Sequence, residues 1–297
     1  MESITEMKKL TILLTIMICG TAMIVGCETT AYPEQFAPKV ILDSYMTIGD
    51  TITVELTHSE SIETVYDSVA AVIPDAHVIV TINGVPDTLS YRIENVPTIK
   101  VESGDTITGL QTYRHYKSNY HIVQPNSQYV VTAYLSDGKV VYGSTHSPDI
   151  IHLISDSLTT HDGDTVSFGH GYGRPVALLW NNDSLVSTYW VVAECHDTLQ
   201  PKLREESRIG GGSSNEGGRR IEYWTQKASY GIVPWFFFDC QGWYTVRVYN
   251  INDEFKNYLF SLSRSLDNVS QIEMNVVGGL GMVTAFSADS IRVFVTP

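Results

Sequence analysis

Short segments of alternating hydrophobic and polar residues recur along the chain from Lys39 onward. Turn-forming pairs such as Asn83-Gly84, Gly104-Asp105 and Asp137-Gly138 stand between them. Strands separated by turns every 8 to 12 residues or so are typical of a β-sandwich. The strands predicted in the first half are 40–45, 51–57, 77–82, 88–93, 120–123, 129–135 and 140–144.

The clearest predicted hairpin joins 129–135 to 140–144 through the turn residues Asp137 and Gly138. Alternate residues of a strand point to opposite faces of its sheet. Both faces of 129–135 carry hydrophobic residues, so we expect this strand to lie inside its sheet rather than at an edge.

The strand pattern is interrupted at Ser147-Pro148-Asp149, where we place a domain boundary. The sequence therefore predicts an all-β protein of two β-sandwich-like domains, 39–148 and 149–297, with one short helix near the C-terminus. The strands predicted in the second domain are 165–168, 177–180, 187–195, 244–249 and 290–295.

The one helix that the pattern predicts in the second domain covers 252–266. Its hydrophobic residues follow the i, i+3, i+4, i+7 spacing of a single helix face that can pack on a sheet. Asn252 or Asp253 could cap its first turn. The stripe consists of Phe255, Tyr258, Leu259 and Leu262.

The segment 203–220 contains five glycines among charged residues and has no hydrophobic pattern. It predicts an exposed, mobile loop. A glycine-rich loop that binds phosphate leads from a strand into a helix and carries a lysine and a hydroxyl residue at fixed spacing, which this segment lacks.

The first 26 residues have the features of a secretory signal peptide. Lys8 and Lys9 precede the apolar run 10–18, and Ile24-Val25-Gly26-Cys27 follows. This ending resembles the bacterial lipobox, so we expect cleavage before Cys27, acylation of Cys27 and a lipidated tether over 27–38. Two or three acyl chains hold a protein stably on a membrane. The expected location is the outer membrane, with the body facing either side.

The net charge of −14 belongs to the mature part, because Glu2 and Glu6 balance Lys8 and Lys9 in the removed segment. An excess of carboxylates repels phosphate backbones, which argues against a nucleic-acid partner. Valine, isoleucine, threonine and tyrosine are abundant, as in strand-rich proteins.

Beyond the signal peptide and Cys27, the sequence contains two cysteines, Cys195 and Cys240. Exported proteins meet an oxidising compartment, so these two thiols could form a disulfide. The alternative is two separate buried thiols that act as small apolar residues.

The segment Asn275-Val-Val-Gly278-Gly279-Leu280-Gly281, between the predicted helix and the last strand, is similar to the closing motif of a Bacteroidota lipoprotein family of unknown function. The lipobox, the strand 39–42, the segment 74–78 and the hairpin at Tyr129 extend the resemblance. It implies a transthyretin-like or immunoglobulin-like module followed by a second β-rich region. It also implies genes near TonB-dependent receptors, and it supplies no catalytic residue. From their residue type alone, we expect the three glycines to provide positive φ or close backbone contact.

No motif in the sequence points to an enzyme, a metal or a cofactor. The sequence has no Gly-x-Ser-x-Gly, His-Glu-x-x-His or Cys-x-x-Cys pattern, and its nine histidines are scattered. The segment 161–164 has only two carboxylates, so it predicts a turn rather than a calcium loop.

Aromatic residues concentrate around the glycine-rich segment. Core packing is the ordinary role of such residues, but aromatic rings on an exposed β face can stack on sugars or bind a protein partner. The residues that we single out as a candidate contact surface are Tyr223, Trp224, Trp235, Phe237 and Trp243.

These features favour a non-enzymatic binding or accessory lipoprotein, attached to the membrane by lipid and partnered by a TonB-dependent β-barrel receptor of the outer membrane. The alternative is a structural or adhesive cell-surface β-sandwich protein.

Overall fold

The computed structural model describes residues 36–61, 64–102, 105–167, 175–181, 188–195, 220–226, 229–234, 238, 241–264 and 272–296. Most of these residues form strands joined by tight turns. The first eight strands in the described chain are β1 (Val40–Thr47), β2 (Thr51–His58), β3 (His77–Ile82), β4 (Val85–Thr88), β5 (Ser90–Glu102), β6 (Asp105–Ile122), β7 (Gln128–Tyr134) and β8 (Val140–His146).

The remaining described elements are eight strands and one helix. They are β9 (Thr165–Ser167), β10 (Val176–Leu179), β11 (Thr188–Cys195), β12 (Arg220–Gln226), β13 (Tyr230–Val233), β14 (Gly242–Ile251), α1 (Asp253–Arg264), β15 (Val276–Val277) and β16 (Val283–Thr296).

The described strands form three sheets, one of which has only two strands. The larger sheet has the order β12-β11-β14-β16-β1-β2-β6-β5, with β9 beside β16. The smaller sheet has the order β15-β8-β7-β3-β4, and β10 pairs with β13. Strands β1 and β16 pair in parallel, so the first and last strands lie side by side near the middle of the larger sheet.

One hydrophobic cluster lies between the two sheets. Alternate residues of the facing strands meet there, and Leu42, Val54, Val80 and Val131 are fully buried. Complete burial of a side chain of this size stabilises the fold by roughly 1.5–3 kcal/mol. The period-2 pattern that predicted these strands therefore also identifies their buried faces.

A second cluster packs the other end of the larger sheet against the two-stranded β10–β13 sheet. Its largest buried side chains include Trp180, Tyr189 and Phe238. Strand β16 belongs to both clusters, because its first inward residues join the first cluster and its last inward residues, such as Val293, join the second.

Close backbone contacts connect the glycine motif to β1. Leu42 N donates to Leu280 O at 2.9 Å, and Leu280 N donates to Val40 O at 2.8 Å. Gly278 and Gly281 have positive φ angles of 83° and 117°. A Cβ on Gly279 would lie 2.5 Å from the carbonyl oxygen of Val40. The predicted role of the glycines is confirmed.

Strands β5 and β6 extend beyond the rest of the larger sheet. Strand β6 pairs with β2 only near its end, at Tyr116, Lys117 and Ile122, whereas it pairs with β5 over 105–117. We call the part 93–114 the arm. Two of its hydrophobic side chains, Ile93 and Leu110, are 59% and 70% exposed.

The structure confirms the all-β class and the short helix near the C-terminus. It also confirms β7 as an interior strand, since β7 lies between β3 and β8. The domain boundary after residue 148 stays a prediction. The signal peptide, Cys27 and the tether up to residue 35 lie outside the described residues, as does the glycine-rich segment up to residue 219.

Candidate functional site

A row of aromatic side chains crosses the face of the larger sheet that points away from the two hydrophobic clusters. Trp190 pairs with Trp224 on one neighbouring strand and with Tyr249 on the other, so all three share this outer face. Tyr189 precedes Trp190 and is buried in the second cluster on the opposite face. Strand alternation thus separates two adjacent aromatic residues.

The rings in this row contact one another in sequence. Trp190 stacks on Trp224 with a centroid distance of 5.3 Å and an interplanar angle of 7°. Trp190 also lies 5.1 Å from the Tyr249 ring. Tyr249 contacts Phe286 edge to face at 5.7 Å. Such ring pairs contribute about 0.5–1.5 kcal/mol beyond their buried area.

Helix α1 covers one side of the aromatic row. Phe255 N donates to Asn252 Oδ1 at 2.9 Å, which confirms Asn252 as the N-cap. Phe255 is buried against Phe286, while Tyr258 and Leu259 pack against the same cluster. Three residues of the predicted stripe therefore face the sheet, whereas Leu262 is 39% exposed.

A groove of about 550 Å³ lies beside α1 on this outer face. Pockets that bind small molecules commonly enclose roughly 300–1,000 Å³ and combine apolar walls with a few polar groups. The polar groups here include the guanidinium of Arg247 and the carboxylate of Asp50. The aromatic part of the lining comprises Tyr45, Trp190, Tyr249, Phe255 and Phe286.

Arg247 contacts the aromatic row directly. Its Nη1 donates to the Tyr249 hydroxyl at 3.1 Å, and its guanidinium carbon lies 5.8 Å from the Tyr249 ring centroid. In the described part of the chain, no carboxylate lies within 4.0 Å of this guanidinium. A ligand in the groove would thus meet an arginine that has no acidic partner among the described side chains.

Two carboxylates lie next to the groove on strands β1 and β2. Asp43 and Glu55 are directly opposite each other in the strand pairing. Burial raises the pKa of Asp43, while a hydrogen bond from the Met282 amide lowers it. Burial and then the charge of Asp43 raise the pKa of Glu55. Burial, followed by the charge of Asp43, also raises the pKa of Tyr45 in the groove wall.

A family model described as a domain of unknown function, DUF4249, matches residues 28–292. The match covers most of the 297-residue chain. The chain belongs to the DUF4249 family. No curated protein matches it. Among the described residues of this DUF4249 chain, no helix is both long enough and apolar enough to span a bilayer.

The structure places the predicted surface residues of this DUF4249 chain in different environments. Trp224 lies in the aromatic row, whereas Tyr223 packs against the second cluster on the opposite face. Trp243 is 40% exposed on the outer face and contacts Phe294 edge to face at 5.2 Å. Trp235 and Phe237 lie outside the described residues.

Cys195 is buried at the end of β11, but Cys240 lies outside the described residues, so the disulfide stays a prediction.

Sequence reasoning missed most of the groove. Trp190, Tyr249 and Phe286 come from three strands far apart in the sequence, and Arg247 stands alone as a charged residue in β14. One available signal was the two-residue spacing of Arg247, Tyr249 and Ile251, which places these side chains on one face of a strand.

A second set of polar side chains surrounds an irregularity in the pairing of β2 with β6. Asp87 Oδ2 accepts a hydrogen bond from Ser118 Oγ at 2.5 Å and lies 3.0 Å from His121 Nδ1. A nucleophilic serine would instead donate to the histidine. Ser118 Oγ also accepts from the Tyr120 and His121 amides, so this set holds the bulge together.

The segment 161–164 forms the predicted turn. Asp164 N donates to His161 O at 3.2 Å, and Gly163 has a positive φ of 88°. Within the described residues, no group of three or more histidine, cysteine or acidic side chains is placed to hold a metal ion.

Proposed function

We propose that this DUF4249 protein is a lipid-anchored outer-membrane lipoprotein of Bacteroidota that binds a ligand and serves as a non-enzymatic accessory component of a TonB-dependent receptor system. The observation that carries the binding role is the groove of about 550 Å³, with its aromatic lining and Arg247. Aromatic residues of a β-sandwich normally pack in its core, whereas those that line the groove lie on the outer face of the larger sheet.

The sequence before the matched domain supports the lipid anchor. The DUF4249 match begins at residue 28, directly after the cysteine of the lipobox-like segment. Strand β1 begins at Val40, and 12 residues lie between it and Cys27, so a short tether would keep the β-rich body close to the membrane. A ligand bound there would be held near a receptor in the same membrane.

Acylation is tested by growing cells with an alkyne analogue of palmitate and measuring its incorporation. We expect label in the wild-type protein and in the Cys19→Ser variant, because Cys19 lies in the removed signal peptide. The Cys27→Ser variant should carry no label. Equal labelling of the Cys27→Ser variant would exclude acylation at this residue.

Receptor association is tested by capturing the tagged protein from outer membranes that have been solubilised in mild detergent. We expect a TonB-dependent receptor to co-purify with the full protein. The matched control joins residues 1–38 to an unrelated folded protein, so it has the same leader and tether without the β-sandwich. Equal receptor recovery with this control, or no receptor with the full protein, would overturn the accessory role.

The arm favours a second candidate function, an adhesive or structural protein that associates with its own copies. A two-stranded ribbon is only marginally stable alone, and exposed edge strands can pair with another chain. Sedimentation velocity should then show association that increases with concentration. The double variant Ile93→Ser/Leu110→Ser should abolish this association. Leu158→Ser is the control, since Leu158 is 84% exposed but lies outside the arm. A monomer at all concentrations would contradict this candidate.

A further inference from the structure

The ring geometry in the groove restricts the ligands that it can bind. Trp224 and Tyr249 pack against the Trp190 ring from the two strands that flank β11 on opposite sides. Both faces of the Trp190 indole are therefore in contact with protein, and the groove receives its edge. A sugar that stacks face to face on an aromatic platform would find this indole already stacked.

The edges of aromatic rings carry partial positive charge, whereas their faces carry partial negative charge. Arg247 adds a full positive charge to the same groove, and the described chain provides no carboxylate within 4.0 Å to neutralise it. The Tyr249 hydroxyl accepts one hydrogen bond from Nη1, which holds the guanidinium beside the aromatic row. A guanidinium has five N–H donors, so donors remain for a ligand.

Acidic groups in or near the groove also bear on its charge. Asp50 lines the groove, but its carboxylate is not within ion-pair distance of Arg247. Asp43 lies two residues before Tyr45 on β1, and Glu55 lies opposite Asp43 on β2. Among the side chains that line the groove, Arg247 carries the positive charge and Asp50 carries the negative charge.

We infer that the groove binds an amphiphilic carboxylate, with a flat apolar body against the ring edges and its carboxylate on Arg247. This inference rests on the binding role proposed above and specifies the ligand class. A bidentate pair between a carboxylate and a guanidinium combines charge with defined geometry. An apolar body supplies the burial that an exposed ion pair alone does not.

The test uses two probes that differ in charge and have the same ring system, 2-naphthoate and 2-naphthylmethanol. Isothermal titration calorimetry on the mature protein should give a dissociation constant about tenfold lower for naphthoate, because a hydrogen bond to a charged group contributes more than one between neutral groups. Arg247→Gln should remove this preference, and Arg247→Lys should retain part of it.

Arg292→Gln is the matched control. Arg292 lies on the same face of the sheet, outside the groove, with its guanidinium 6.0 Å from the Trp243 ring. This variant should keep the preference for naphthoate. Thermal unfolding of all three variants establishes that each is folded before its affinities are compared.

Two results would overturn the inference in different ways. Equal affinity for both probes, or an unchanged preference in Arg247→Gln, would remove the carboxylate specificity and leave the groove as a binding site. If neither probe binds, amphiphilic carboxylates are excluded as the ligand class of the groove. The receptor co-purification tests the accessory role independently.

Discussion

The residues Asp43 and Glu55 illustrate how single side chains near the groove affect stability. Both carboxyls have raised pKa values in the folded protein, first because of burial and, for Glu55, then because of the charge of Asp43. A raised pKa means that folding favours the neutral form. Ionising these two carboxyls therefore costs folding free energy. This cost is absent at acidic pH and grows as the pH rises through the folded-state pKa values.

Replacing Asp43 with asparagine should stabilise the protein at neutral pH. The asparagine oxygen can still accept the Met282 amide, which is 2.9 Å from Asp43 Oδ1. Like charges directly opposite on paired strands cost roughly 0.2–1 kcal/mol, so we expect a gain of this size in urea unfolding at pH 7 and a smaller gain at pH 4. NMR titration should show a lower pKa for Glu55. Glu273→Gln changes the net charge equally and is the control, and an equal gain in that variant would refute the explanation.

Gly281 should be among the least replaceable residues of the chain. Its φ is 117°, and a Cβ there would overlap the carbonyl oxygen of Leu42. Gly84 also has a positive φ, but nothing lies within 4 Å of the corresponding Cβ position. Gly281→Ala should therefore lower the free energy of unfolding by more than the roughly 1–3 kcal/mol that backbone strain alone costs. Gly84→Ala should lower the free energy of unfolding only by the cost of backbone strain. Similar losses in the two variants would contradict the steric argument.

Among the elements, helix α1 is held in place by Asn252, whose side-chain amide makes one hydrogen bond through its oxygen and another through its nitrogen. Its Oδ1 caps the first turn through Phe255 N, and its Nδ2 donates to Thr145 Oγ1 at 3.0 Å. We expect Asn252→Ala to cost about 1 kcal/mol or more in urea unfolding, whereas Asn252→Asp keeps the cap and should lose less. Hydrogen exchange of the Phe255 amide measures the cap directly. An unchanged exchange rate in Asn252→Ala would show that the cap does not protect this turn.

Strands that bury one face could be predicted from the sequence, because their hydrophobic and polar residues alternate. The arm and the start of the last strand lack this alternation and could not be predicted. The prediction for β6 covered only 120–123, because 105–114 has no regular hydrophobic alternation and Leu110 there is exposed. The last strand was predicted from Ser290, yet it begins at Val283. Ser287 and Asp289 interrupt the hydrophobic pattern there because they accept the Ile151 and Leu153 amides.

The groove could not be predicted for a different reason. Its floor is formed where β11, β14 and β16 pair, and strand order is set by contacts between distant segments rather than by any local pattern. The local signals, such as the stripe on α1 and the alternation in β14, identify which faces are apolar. They do not say which faces lie next to one another.

The whole molecule is built so that one strand links its two hydrophobic clusters, since β16 contributes Val283 to the first and Val293 to the second. Loss of packing in one cluster should therefore weaken the strand on which the other depends. From this we expect the described body to unfold as one cooperative unit, a result that would argue against independent domains on either side of residue 148.

The tryptophans make this expectation easy to test. All five tryptophans lie between residues 180 and 243, and none belongs to the first cluster, so their fluorescence reports on the second half of the chain, while circular dichroism reports on strands throughout the chain. Val54→Ala removes two methyl groups from the first cluster and should cost roughly 1–3 kcal/mol. If unfolding is cooperative, this variant shifts the urea midpoint equally by fluorescence and by circular dichroism, as Val293→Ala in the second cluster also should. An unchanged fluorescence midpoint in Val54→Ala, together with a biphasic dichroism curve, would instead show two domains that unfold separately, with β16 held by the second cluster alone.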